Sequence, residues 1–160
     1  FTKNKAGVPC TVCGQTPSLL YQGPFYTAHD GPQLCAWCIA SGEAAKLLEG
    51  DFNEPYMDHP KVASDRQEEL ACRTPSYGSY QEASWRSHCG DFCAYLGAIE
   101  DAPRFERLAA ELRPLLQEAA QDFQGMSAQD LEASIKAGGI VAHVFRCLVC
   151  ERYDLHLDFS

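Results

Sequence analysis

Cys10-Thr11-Val12-Cys13 and Cys35-Ala36-Trp37-Cys38 set two cysteine pairs of equal spacing in the first quarter of the chain. Two intervening residues let one tight turn present both sulfurs to a single ion, and two such pairs supply the four soft donors that tetrahedral zinc takes. A disulfide or a redox pair is the competing reading, but paired spacing of this kind favours structural zinc. The expected local fold is a treble clef or zinc ribbon, with Cys35 and Cys38 at the positive N-terminus of a helix that favours thiolates.

A second set follows at Cys89, Cys93, Cys147 and Cys150. Cys89 and Cys93 stand four apart, so on a helix both would face one way, and Cys147-Leu148-Val149-Cys150 would sit at the tip of a hairpin. The four pairs can be matched in several ways; joining the first two locally closes the shorter loop at less entropy, which leaves these four for a second site. Two structural Zn2+ ions are therefore expected. His88 could replace a cysteine, but neighbouring helical residues diverge by about 100 degrees, so a packing or supporting role is expected for it. His29, His59, His143 and His156 show no ligand spacing, and Cys72 reads as a buried free thiol.

The 160 residues are 46% hydrophobic and 22% charged, enough for a buried core and unlike a disordered tail. Lys and Arg number 13 against 22 Asp and Glu, a formal charge of -9, which disfavours direct nucleic-acid binding. No apolar run approaches the roughly 20 residues that cross a bilayer, so no membrane partner is expected. The opening Phe1-Thr2-Lys3-Asn4-Lys5 has no signal-peptide core, and a reducing, cytoplasmic setting is the working expectation.

The expected fold class is α+β: small zinc-bound knuckles, short hairpins and a few helices. Residues 1–50 read as a knuckle, short strands around 19–27 and a helix over 41–50; residues 51–64, with two prolines and no apolar period, read as a linker. Residues 65–160 read as a helical portion returning to the second site. Within it, 65–72 reads as a helical turn and 80–95 as mostly helical. Phe105, Leu108, Leu112, Leu115, Leu116 and Ala119 recur at helical steps, with a bend expected at Pro114. Ser127-Ala128-Gln129-Asp130 resembles a capping box, and Leu155, Leu157 and Phe159 alternate with Asp154, His156 and Asp158 as in a half-buried strand.

Several strings together resemble the CbrC family of bacterial proteins, named for a member linked to colicin tolerance. They are residues 21–26 (Tyr-Gln-Gly-Pro-Phe-Tyr), 34–45 (around Cys35-Ala36-Trp37-Cys38), 73–77 (Arg-Thr-Pro-Ser-Tyr), 85–97, and Phe145-Arg146-Cys147-Leu148-Val149-Cys150. The chain departs at Ala36, where the family usually has Pro, at Ser41 for Asp, and at Glu151 for Gly; none of these removes a ligand. The resemblance implies a cysteine-rich, zinc-binding protein without an established catalytic residue.

The functional expectation is a non-catalytic zinc protein that binds another protein, in its specific form an immunity protein against a basic, nuclease-like toxin. Residues 43–69 carry Glu43, Glu49, Asp51, Glu54, Asp58, Asp65, Glu68 and Glu69 against only Lys46, Lys61 and Arg66, a surface able to steer a basic partner. The alternative is an enzyme, either a zinc-dependent hydrolase or a thiol oxidoreductase. Four thiolates close the coordination shell that catalysis would need open, and no Gly-rich phosphate loop, His-Glu-x-x-His or Gly-x-Ser-x-Gly occurs. A nucleic-acid-binding zinc ribbon is the third possibility and is opposed by the charge.

Overall fold

The computed structural model describes residues 1–54, 61–81, 83–123 and 125–159. It is a mixture of helices and small antiparallel sheets, and the chain divides into two compact units, Phe1–Gly78 and Ser79–Ser160. Residues 55–60 of the expected linker, with His59 and Asp58 among them, lie outside the described residues.

The first unit opens with the two-residue strands β1 (Thr2–Lys3) and β2 (Leu19–Leu20), paired antiparallel. Three helices follow: α1 (Ala36–Ala40), α2 (Glu43–Leu48) and α3 (Ser64–Arg73). The buried faces of α1 and α2 meet in a core with Leu34, Ile39, Ala44, Leu48 and Phe52, into which Cys10, Cys35 and Cys38 are also packed and against which Cys72 of α3 lies. Tyr21 and Phe25 close over the Phe52 ring at centroid distances of 5.5 and 4.5 Å. Tyr26 and Asp51 form an isolated bridge. Gly50 is required beside it, because a Cβ there would stand 2.5 Å from the Tyr26 carbonyl oxygen. Asn53 Nδ2 donates to the carbonyls of Leu70 and Thr74, tying off the end of α3.

The second unit is built on a three-stranded sheet of β5 (Ala94–Ile99), β6 (Ile140–Arg146) and β7 (Tyr153–Phe159), in the order β5-β6-β7. A small hairpin precedes it, β3 (Ser87–His88) with β4 (Asp91–Phe92). Strand periodicity divides β6 into two sets. Ile140, Ala142 and Val144 face α4 (Ala102–Arg107), α5 (Ala109–Ala119) and α6 (Ala128–Lys136), in a core with Phe105, Leu112, Leu116, Leu131 and Ile135. Phe105 is wholly buried there, so truncating it to Ala is expected to cost about 3–5 kcal/mol. His143 and Phe145 alternate with that set and meet Tyr95, and Trp85 packs edge-on against Phe145.

The alternation in β7 is present, with Leu155 and Leu157 in the core, but the polar set is not uniformly solvated: Asp154 stays partly exposed, whereas Asp158 does not. Asp158 is fully buried and accepts from Ser79 Oγ at 2.7 Å, Tyr80 N at 2.6 Å and Gln81 N at 3.3 Å, with His143 Nε2 3.5 Å away. Tyr95 Oη lies 3.0 Å from His143 Nδ1. Those donors satisfy the carboxylate, which is what lets a charge sit inside.

Three local expectations change. Residues 80–95 are not helical: Cys89 and Gly90 have φ of 53 and 78 degrees, and two successive residues with positive φ make a two-residue hairpin turn, not a helix. The helix break falls at Leu108, whose φ of -123 and ψ of 18 leave the helical region, while Pro114 lies inside α5. Residues 65–72 form part of the ten-residue α3, not a single turn. The capping box at Ser127 is formed reciprocally with Asp130, and α6 gives way to Gly138 at φ 77 degrees.

Candidate metal centres

The first centre is assembled by a turn and a helix start. Cys10 N donates to Gln15 O at 2.8 Å and Gly14 N to Cys10 O at 2.9 Å, closing a loop that holds Cys10 and Cys13 on one side. Thr11 N bonds Gln33 O, and Gln33 N returns to Thr11 Oγ1, so the turn is laced to the strand-like segment leading into α1. Cys35 then caps α1, its Sγ accepting from Cys38 N at 3.4 Å. Cys10, Cys13, Cys35 and Cys38 offer sulfurs that all lie within 4.8 Å of one another, with Cys13 and Cys35 Sγ 3.9 Å apart. All but Cys13 are buried.

The second centre lies where the β6–β7 hairpin tip meets the β3–β4 turn. Cys147 N donates to Arg152 O at 2.8 Å and Glu151 N to Cys147 O at 3.1 Å, the same pair of bonds that closes the Cys10 turn. His88, Cys89, Cys147 and Cys150 bring one donor atom each within 4.8 Å of the others. His88 Nδ1 stands 3.1 Å from Cys89 Sγ and 3.2 Å from Cys150 Sγ. Cys89 and Cys150 are exposed.

The thiols polarise one another within each group. Burial pushes Cys10 up, but amide donors from Cys13, Cys35 and Val12 outweigh it and hold the thiol at about 7, while burial first and the neighbouring sulfurs second raise Cys38. Amide donors from Cys150 and Val149 pull Cys147 down to about 6, and the hydrogen bond with Cys150 leads the causes that raise Cys89 to about 11. One sulfur in each group thus ionises readily and makes its neighbours harder to ionise, a repulsion that a shared cation removes.

A family model described as an uncharacterised protein family, UPF0167, matches residues 2–159. The chain belongs to the UPF0167 family. It is 38% identical over 159 residues to a UPF0167 protein of Pseudomonas aeruginosa, which covers 94% of this chain and 86% of that relative. It is 31% identical over 161 residues to UPF0167 proteins of Mycobacterium bovis and Mycobacterium tuberculosis, each covering 96% of this chain and 83% of the relative. No solved structure matches.

In this UPF0167 chain seven of the eight expected ligands fall in the two groups and Cys93 does not. Its backbone is turned into the core, with Cys93 N bonded to Arg86 O and its carbonyl accepting from Trp85 Nε1 at 2.9 Å, and burial pushes its thiol up to about 12. His88 stands in its place. On a helix His88 and Cys89 would diverge; in this hairpin the strand residue and the first turn residue, Cys89 at φ 53 degrees, bring their donor atoms together. The legible signal was His88-Cys89-Gly90 itself, a turn-forming glycine directly after two donors.

Cys72 is partly buried, with its Sγ 3.6 Å from Asp51 Oδ1, and burial raises its thiol. His29 lies apart from both groups, and His143 and His156 stack on one another beside Asp158 instead of joining a centre. Among the described residues no helix is long and apolar enough to cross a membrane.

Proposed function

We propose that this chain is a non-catalytic zinc protein with two structural sites, one of four cysteines and one of three cysteines with His88, and that it acts by binding another protein. The observation that carries the reading is that each centre already holds four protein donors around one point. Four donors at about 2.3 Å from a tetrahedral zinc stand about 3.8 Å apart, close to the 3.9 Å between Cys13 and Cys35. The His88 distances of 3.1 and 3.2 Å are shorter than the roughly 3.6 Å of a zinc-bound nitrogen and sulfur, and half an ångström of opening of the β3–β4 turn accommodates that. A turn followed by cysteines at a helix start supports the treble-clef form for the first site. When bound, zinc would cross-link these segments; all-protein shells leave no position for a substrate or a water, which favours scaffold over hydrolase.

The partner reading draws on charge and on the likeness to the CbrC family. Glu43, Glu49, Glu54, Asp65, Glu68 and Glu69 are all exposed in the first unit, in a chain of formal charge -9. Such a surface steers toward a basic protein, and a nuclease-like toxin held in this way by a cytoplasmic immunity protein is the form we favour. Elemental analysis of protein purified without added metal should give two zinc ions per chain. A basic toxin encoded beside the gene should bind with an affinity that falls steeply between 50 and 300 mM salt; one ion or none, or no complex at low salt with any neighbouring gene product, would remove the corresponding half of the proposal.

A further inference from the structure

Cys93 lies outside the second donor group but one ladder step from it. The β5–β6 ladder pairs Tyr95 with Phe145 and Ala94 with Arg146, so the next position along it sets Cys93 opposite Cys147. Directly opposed residues of antiparallel strands have Cα atoms about 4.5–5.5 Å apart, inside the roughly 4.4–6.8 Å that a disulfide spans. Strand alternation puts both side chains on one face, away from the face that carries Ala94 and Arg146. Both residues are buried, and after burial itself Cys147 acts on the Cys93 thiol more strongly than any other group does.

The two backbones are pinned before any bond forms. Cys93 N donates to Arg86 O and its carbonyl accepts from Trp85 Nε1, while Cys147 N donates to Arg152 O. Only side-chain rotation separates the two thiols from a bridge.

The Cys147 sulfur is also close to solvent. It lies within 4.8 Å of the sulfurs of Cys89 and Cys150, both exposed residues, so a small oxidant that enters between them meets it about one sulfur's breadth below the surface. In a filled centre the ion holds His88, Cys89 and Cys150 as well as Cys147. Cys93, outside the group, is a thiol within reach that no ion holds.

We propose that Cys93 and Cys147 form a redox site that empties the second centre; the inference rests on that centre holding a metal ion. Hydrogen peroxide is the oxidant. The Cys147 thiolate attacks one peroxide oxygen, the O–O bond breaks, and the other oxygen leaves as hydroxide that takes a proton from solvent. The Cys93 sulfur then attacks the sulfenic acid: the S–S bond forms, the S–O bond breaks, and the hydroxyl leaves as water with the Cys93 proton. Two electrons pass from the two sulfurs to one peroxide, which becomes two waters. Cys147 is lost to the ion, which three remaining donors hold weakly, while the bridge ties β5 to β6 in its place. A dithiol reductant reverses the change by exchange.

The test treats the whole zinc-loaded chain with hydrogen peroxide beside a chromogenic zinc chelator too weak to strip the untreated protein, then digests it with trypsin without reduction. One ion per chain should be released, and peptides 87–104 and 147–152 should appear joined, with fragment masses that place the bond between Cys93 and Cys147. Dithiothreitol and zinc should then restore the second ion in full. Cys93→Ala, which keeps both ions before treatment, should form no such bridge. Its unresolved sulfenic acid passes on to sulfinic acid, so the fraction of second ion recovered should fall at least about twofold. A second centre that holds no ion before peroxide would overturn the metal reading and this inference together. A filled centre that oxidises to Cys147–Cys150 or Cys89–Cys150 instead, or a Cys93→Ala chain that recovers as fully as the parent, would overturn the redox site alone.

Discussion

Gly14 and Glu151 occupy the same place in two copies of one turn. Each is the fifth residue of a Cys-x-x-Cys loop, each donates its N–H to the carbonyl of the first cysteine, and each has positive φ, 70 degrees for Gly14 and 61 for Glu151. Glycine takes that conformation freely, whereas an L side chain costs about 1–2 kcal/mol there.

Glu151→Gly should therefore stabilise the second unit by about 1 kcal/mol, raising its melting temperature by a few degrees. Gly14→Ala should do the reverse in the first unit. Thermal unfolding of both variants, metal-loaded, checks the pair; a Glu151→Gly chain no more stable than the parent would mean that the side chain makes a compensating bond.

The exchange of Cys93 for His88 separates two variants that the sequence would rank the other way. His88→Ala should lose one metal equivalent or hold it at least about tenfold more weakly. Cys93→Ala should keep two, with only a packing loss of about 1 kcal/mol. Elemental analysis after gel filtration in a mild chelator reads both.

Removal should be sequential. Cys10, Cys35 and Cys38 are between 1 and 3% exposed, whereas Cys89 and Cys150 are open to solvent. A chelator or a thiol reagent should reach the second centre first, so native mass spectrometry should pass through a species with one metal before the apo chain. Simultaneous loss of both ions would contradict this order.

Acid should weaken the second unit in two stages. Burial lowers the His143 value, so the folded chain resists a proton that the unfolded chain takes up; this stability is present above about pH 6.5 and is lost as pH falls. Burial alone would raise Asp158, but the donors from Ser79, Tyr80, His143 and Gln81 outweigh it and hold it low, so a further share is lost below about pH 4. Asp158→Ala should cost about 3–5 kcal/mol near neutrality and flatten the lower stage. Urea unfolding between pH 3 and 8, followed through Trp85, measures it.

The sequence was most legible where one side chain does one local job. The Cys10 turn, the Ser127 capping box, the β6–β7 hairpin and its cysteine tip could be read because spacing and backbone preference agree there. The hairpin within residues 80–95 is not legible because their aromatic residues carry no period that tells a helix from a hairpin, and the deciding torsions belong to Cys89, a residue that seldom takes positive φ. The hairpin is what brings His88 into the second donor group and leaves Cys93 outside it. The burial of Asp158 is not legible for a different reason: the residues that cover it come from 79–81, far away in the chain.

Each unit carries one complete donor set, the first ending at Cys38 and the second at Cys150. On the ribosome the first set is finished early, whereas His88 and Cys89 must wait for the last two sulfurs. At about 5–20 residues per second, the roughly one hundred residues from Cys38 to Cys150 put some 5–20 s between the two completions. Oxidation or capture of a competing metal ion during synthesis should therefore strike the second centre more often than the first.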